Sequence, residues 1–254
     1  MVSPEHQAII DKIQNKIYSV ADRPRSIIMM VYGPPGVGKS RFAATSCLVP
    51  ECNRVLCAAI EPGDETYREF PDVQMYPVDY FNEMNNLHWY IRSMKSIRTV
   101  ILDTTTELQK KSMDGILAEN HKKNPTKHDA DVPQLADWGK NTEQMRKVLR
   151  AFRDLGINVI FVAHSEKDKD EATGAISIGP SFTPKLKIDA CSYVDIIGYM
   201  YTKLEGDKTV RYMLTQPSGN ITAKCRREVA IPRVIEDPTF PKLWDYLNGV
   251  GGNK

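Results

Sequence analysis

Ser26-Ile27-Ile28-Met29-Met30-Val31-Tyr32-Gly33-Pro34-Pro35-Gly36-Val37-Gly38-Lys39-Ser40 is the stretch from which the rest of the chain is read. The unbroken apolar run Ile27 to Tyr32 predicts a strand buried on both faces. It leads directly into a loop that meets every defined position of the pattern G-x-x-x-x-G-K-[ST], a P-loop. These residue types have a geometric reason. Backbone N–H groups from about Gly36 to Ser40 must curl around phosphate oxygens with no side chain in the way, and glycine permits that curl. A helix starting near Lys39 adds the positive end of its dipole; the Lys39 ammonium can reach the β- and γ-phosphates, and the Ser40 hydroxyl can ligate Mg²⁺. Gly33, Pro34, Pro35, Gly36, Val37, Gly38, Lys39, Ser40 and Arg41 are therefore expected to bind ATP.

Around that stretch, 254 residues suffice for one large α/β domain with a real core. The expected organisation is a single unit: an N-terminal helix over 3–20, a core over about 26–227 and a helical tail over 236–254. With 34 basic and 32 acidic residues the net charge is +2, so global charge selects no polyanionic partner and any nucleic-acid contact must be a local patch. The five cysteines, Cys47, Cys52, Cys57, Cys191 and Cys225, form no C-x-x-C pair, and the N-terminus does not read as a signal peptide. They are expected to be reduced thiols of a cytosolic protein, without a zinc site. Apolar runs of about six residues are far too short to span a membrane.

From Ser3 to about Val20 the sequence reads as an amphipathic helix, with Ser3 as N-cap, Pro4 in the first turn, and Ile9, Ile10, Ile13 and Ile17 on one face. That face is expected to pack on the core, or alternatively on a neighbouring subunit. A second apolar run, Val55 to Ile60, ends at Glu61-Pro62-Gly63. A short strand is expected over Gln74 to Pro77 and a helix over Tyr80 to Met94. The third run, Arg98 to Leu102, stops at Asp103. Between His121 and Pro133 periodicity disappears, and Lys122, Lys123 and Lys127 cluster over His121 to His128 without an acid, which reads as a mobile loop. A helix follows from about Pro133 to Leu155, its stripe of Leu135, Trp138, Met145, Leu149 and Phe152 read as core. The fourth run, Val159 to Ala163, ends at His164 and opens onto Glu166 to Glu171, read as a solvated flap, and a second long loop from Ala172 to Lys187. Tyr193 to Thr202 and Thr209 to Leu214 flank Glu205-Gly206-Asp207 and predict a β-hairpin. A last helix around Leu243, Trp244 and Leu247 ends at Gly249.

The apolar runs end in turn at Gly33, Glu61, Asp103 and His164, each a group with chemistry to offer. A parallel sheet with its ligand at the carboxyl ends of the strands places residues in this way. Asp103 reads as the Walker B aspartate, holding Mg²⁺ opposite Ser40, or else as a cap of the helix that follows. Its neighbour is Thr104 rather than a glutamate, so the base must come from elsewhere. Glu61 is the best-placed carboxylate to orient and deprotonate water; the bland alternative is a carboxylate in an ordinary Pro-Gly turn.

With the P-loop, Ile60-Glu61, Leu102-Asp103, Trp138-Gly139-Lys140, Val162-Ala163-His164 and Lys224-Cys225-Arg226 in order, the chain resembles the RecA-like recombination ATPases. Within them it is most similar to the phage RecA-like ATPases of the Sak single-strand-annealing group. The resemblance implies a RecA-like P-loop core with a mostly parallel sheet flanked by helices, and a C-terminal β-hairpin extension. It implies that His164 senses the γ-phosphate and that Lys224 and Arg226 reach the nucleotide of an adjacent subunit. Taken as residues alone, His164 reads equally as a packed polar strand end, and the Lys224/Arg226 pair as a solvated strand face. The resemblance also implies single-stranded DNA as a partner, contacted by Lys122, Lys123 and Lys127 and by the segment from Glu166 to Lys187, together with homo-oligomerisation and a single-strand DNA-binding protein as a further partner. No aromatic-x-x-Ala tether is evident near the N-terminus, which leaves ring, short oligomer or DNA-dependent assembly open.

The expected activity is hydrolysis of Mg-ATP in recombination or annealing, in the cytoplasm of a phage-infected host. The alternatives are a small-molecule or nucleotide kinase, and a nucleotide-gated DNA-binding or loader module with negligible turnover.

Overall fold

A computed structural model of the chain describes residues 3–19, 26–171, 174–226 and 231–249. The apolar runs become the centre of one sheet. β1 (Ile28–Gly33) is buried at every position. Its side chains alternate, Met29 and Val31 facing one core cluster and Ile28, Met30 and Tyr32 the other. On the first face pack α2 (Lys39–Ala44), α3 (Asp64–Arg68) and α8 (Phe240–Asn248), through Phe42, Tyr67, Phe240 and Leu243. On the second pack α4 (Glu83–Ser93), α5 (Thr105–Lys123), α6 (Leu135–Arg153) and α7 (Pro184–Tyr193).

The remaining strands are β2 (Val55–Ala59), β3 (Val73–Pro77), β4 (Thr99–Asp103), β5 (Asn158–Lys169), β6 (Ile176–Pro180), β7 (Ile196–Glu205), β8 (Lys208–Leu214), β9 (Lys224–Cys225) and β10 (Val234–Glu236). Their order is β10-β8-β7-β1-β5-β4-β2-β3, with β6 added to β5 and β9 to β7. From β7 to β3 every neighbouring pair is parallel. This is a mostly parallel α/β sheet flanked by helices on both faces. The hairpin β7–β8 forms about Gly206 as expected, and β7 is itself a member of the central sheet, beside β1. The register sets Gly33 beside His164 and Ala59 beside Asp103, so the ends of the apolar runs fall along one edge.

Several expectations are corrected. The N-terminal helix, α1, covers only Pro4–Gln14 and buries no residue. Ile9, Ile10, Ile13 and Ile17 are all exposed, Ile17 by 73%, so the stripe does not pack on the described core. Lys122 and Lys123 are not in a loop but in the last turn of α5, where cations oppose the helix dipole and Lys123 pairs with Glu119 at 2.6 Å. The described part of the segment from Glu166 to Lys187 is largely regular structure, although Lys167 to Glu171 are solvent-exposed as expected. β5 continues to Lys169, β6 returns antiparallel along it, and α7 begins at Pro184. The alternating charges are the period of a strand: Glu166 and Asp168 share a face, and Lys187 binds both. The α6 stripe is core only in its second half. Met145, Leu149 and Phe152 are buried, whereas Leu135 is 90% exposed and Trp138 is exposed too. The first half of α6 pairs with α5 instead: Gln109 Nε2 donates to Asn141 Oδ1 at 3.0 Å and Asn120 Nδ2 to Asp137 Oδ1 at 2.7 Å.

The expected helix end at Val20, the core limit at Arg227, the loop start at Ala172 and the tail from 250 onward lie outside the described residues. The cysteines are free thiols. No helix among the described residues is long and apolar enough to cross a membrane.

Candidate active site

The phosphate cradle owes its shape to close backbone packing. A Cβ on Gly33 would sit 2.3 Å from the Met200 carbonyl oxygen, because β7 runs directly alongside β1. Gly38 precedes α2 with φ of 97°, a left-handed conformation that glycine adopts without cost. Lys39, the first residue of α2, is buried, and its Nζ donates to the Pro34 carbonyl at 2.9 Å. Burial lowers its pKa, while the charges of Asp103 and Glu61 pull it back up. Arg41, two residues along, does not face the cradle's interior; its guanidinium pairs with Glu69 at 2.5 Å and lies over the Phe70 ring.

The ends of the other strands converge on the same place. A cavity of about 200 Å³ is lined by Lys39, Ser40, Glu61, Asp103, Thr104 and His164, with Tyr67 behind them. Glu61 Oε1 accepts the Thr104 hydroxyl at 2.5 Å and lies 2.9 Å from His164 Nε2. A carboxylate can only accept, so Nε2 carries the proton of this bond; Nδ1 is buried without a partner among the described residues. Both contacts go to Oε1, and no described residue donates to Oε2. Burial raises the Glu61 pKa, but the bonds from Thr104 and His164 and the charges of His164 and Lys110 outweigh it and leave it below the ordinary value. At neutral pH Glu61 is a carboxylate with one oxygen anchored and one available.

Asp103 is nearly enclosed. Tyr67 donates its hydroxyl to Oδ2 at 2.7 Å, and Ser40 is its other hydrogen-bonding neighbour. Burial raises its pKa; the bonds from Ser40 and Tyr67 and the charge of Lys39 oppose that rise, and Glu61 adds to it. The cap of α5 is Thr104, which accepts from Glu107 N at 3.2 Å, so Asp103 is spared capping. The peptide bond between Asp103 and Thr104 is cis. The backbone of His164 is fixed through Thr106, whose Oγ1 accepts from His164 N at 3.0 Å.

The donor set fits a hard divalent cation. Ser40 and Asp103 offer oxygen ligands within hydrogen-bonding reach of each other, and no group of three His, Cys, Asp or Glu among the described residues could hold a metal alone. A cation here must take its remaining ligands from water and phosphate, which is how Mg²⁺ is ordinarily bound beside nucleotides.

The profile of the AAA domain family matches residues 25–227. The chain belongs to the AAA domain family. The AAA domain therefore covers the P-loop, the strand ends and the hairpin, and carries the ATPase character of the P-loop superfamily. Three solved structures are similar to it at low identity. They are a KaiC-like protein from Pyrococcus horikoshii OT3 (TM-score 0.45, 10% identity, 76% of this chain and 79% of that one), the RadB recombinase (0.43, 15%, 76% and 84%), and the flagellar accessory protein FlaH from Methanocaldococcus jannaschii (0.39, 9%, 76% and 78%). No curated protein sequence matches significantly.

Within the AAA domain, Lys39, Ser40, Glu61, Asp103 and His164 come together, and Lys224 and Arg226 do not join them. Lys224 Nζ donates to the carbonyls of Val194 at 2.7 Å and Cys191 at 3.0 Å, and Arg226 pairs with Asp195 at 2.7 Å. Both are held in cis at the amino end of β7, away from the cradle at the carboxyl end of β1. Tyr67, Thr104 and Thr106 are contributors that sequence reasoning missed. Thr104 and Thr106 had a signal in the Asp-Thr-Thr-Thr run after the strand; Tyr67, six residues beyond Glu61, had none.

Proposed function

We propose that this AAA domain binds Mg-ATP and hydrolyses it, with Glu61 as the base. The observation that carries the reading is the convergence of Lys39, Ser40, Glu61, Asp103 and His164 on one cavity at the carboxyl edge of the sheet. The cradle and Lys39 hold the β- and γ-phosphates, and Ser40 and Asp103 would hold Mg²⁺, which when bound offsets phosphate charge. Glu61 Oε2 orients a water and takes its proton as the bond to the γ-phosphorus forms and the bond to ADP breaks. His164, held by Glu61 and Thr106, stands where loss of the γ-phosphate would be felt along β5 and its partner β6.

We further propose that turnover serves work on single-stranded DNA in phage-type recombination or annealing, in the cytoplasm of the host, by a homo-oligomer that cooperates with a single-strand DNA-binding protein. Support comes from the sequence resemblance and from Lys122, Lys123 and Lys127, which cluster where α5 gives way to the turn before α6. Lys224 and Arg226 belong to this reading as residues offered to an adjacent subunit. The test is ATP hydrolysis with and without single-stranded DNA, using Lys39→Ala as the blank. Hydrolysis that survives Lys39→Ala would overturn the ATP site. DNA that neither binds nor stimulates turnover would overturn the DNA role alone.

A further inference from the structure

Tyr67 belongs to none of the motifs from which the site is read, yet it touches the residue on which the cation site depends. It stands on α3 with its ring in the core beside Phe70 and Cys57, 6% exposed. Its hydroxyl donates to Asp103 Oδ2 at 2.7 Å. The same segment holds the other end of Asp103: its backbone carbonyl accepts from Ile60 N at 2.8 Å and from Glu61 N at 3.3 Å. Residues 60–67 thus fasten Asp103 by its main chain and by one carboxylate oxygen. The terminal torsion of an aspartate is soft and has no sharp preferred setting. A phenol on a buried ring is a rigid donor that can set it.

We infer that Tyr67 is a positioning residue, whose hydroxyl occupies one oxygen of Asp103 and turns the other toward Ser40, so that both oxygen ligands face the divalent cation of Mg-ATP. The inference rests on the Mg-ATP reading above and adds a residue to it. It also links the two carboxylates, since the helix that carries Tyr67 follows the turn that carries Glu61, and both reach Asp103. The bland account is that a buried tyrosine hydroxyl has found an acceptor, as most do. The two accounts differ in what Mg²⁺ does.

The experiment titrates Mg²⁺ against a fluorescent ATP analogue bound to the full chain, comparing wild type with Tyr67→Phe, which keeps the ring. Supporting groups behind metal ligands typically change metal affinity by about 10- to 100-fold. The half-saturating Mg²⁺ concentration should rise by roughly tenfold or more, while affinity for the analogue in EDTA stays as in wild type. In an Asp103→Asn background the same substitution should change nothing further. A Tyr67→Phe protein with the wild-type Mg²⁺ requirement, or with equal losses in Mg²⁺ and in EDTA, overturns the inference. A second readout leaves the hydroxyl in place: 3-fluorotyrosine at position 67 should show its ¹⁹F resonance move when Mg²⁺ joins the ATP complex, and an indifferent resonance overturns the inference. Wild-type nucleotide binding that ignores Mg²⁺ would instead bring down the Mg-ATP reading itself.

Discussion

Glu61→Gln separates binding from hydrolysis, because its two oxygens have different duties. Oε1 accepts from Thr104 at 2.5 Å and from His164 at 2.9 Å. A glutamine can present its carbonyl to both donors, so the fold around it survives, but the bonds lose the strength that a charged acceptor lends them. Hydrogen bonds to charged groups contribute about 1.5–3 kcal/mol against about 1 for neutral ones. Two weakened bonds, each losing about 0.5–2 kcal/mol, therefore cost roughly 1–4 kcal/mol in total, or about 2–16 °C in thermal midpoint at about 2–4 °C per kcal/mol for a chain of this size. At Oε2 the change is qualitative. The amide NH₂ donates where the attacking water needs an acceptor, so turnover should fall by about 10²- to 10⁴-fold with ATP affinity within about threefold of wild type, since no phosphate-binding group is altered. Scanning calorimetry, single-turnover hydrolysis and equilibrium nucleotide binding read the three quantities. A glutamine variant that turns over within a few-fold of wild type would refute the assignment of Glu61 as base.

Asp103→Asn should raise the stability of the nucleotide-free protein at neutral pH. The folded pKa of Asp103 is raised by burial, so its favourable contribution is fully present below the unfolded pKa of about 3.9 and is lost as pH rises through the folded value. The variant's advantage should accordingly shrink on acidification, seen as converging thermal midpoints. Glu61 has the opposite sign: its pKa is depressed, so its contribution is lost as pH falls through the folded value, and Glu61→Gln should remove part of the acid sensitivity of wild type. Gly33→Ala must push β1 from β7, since the added Cβ meets the Met200 carbonyl at 2.3 Å; a loss of about 1–3 kcal/mol or more should appear in denaturant unfolding, and a variant as stable as wild type would contradict the strand register. Removal of residues 1–15 should leave the thermal midpoint of dilute protein unchanged, because α1 buries nothing. Should exposed Ile9, Ile10 and Ile13 serve self-assembly, the same truncation lowers the sedimenting mass at high concentration.

The candidate site was legible in the sequence to the extent that its residues sit at strand ends. Lys39 and Ser40 were marked by loop chemistry, and Glu61, Asp103 and His164 by the abrupt end of an apolar run. Tyr67 was not legible, because a contact from α3 to the end of β4 leaves no periodicity in either segment. Lys122 and Lys123 were read as loop because the helix that contains them is polar to its end, and helical periodicity needs an apolar face to be seen.

The sequence by itself determined which segments are buried on both faces and where each stops, since a run such as Ile27 to Tyr32 has no polar face to turn to water. Tertiary structure alone decided that β5 separates β1 from β4, that charged β5 continues past His164 to receive β6, and that the isoleucines of α1 find no place on the described core. Those are choices between long-range partners. Local periodicity tells a residue which way to face, and carries no record of what it will face.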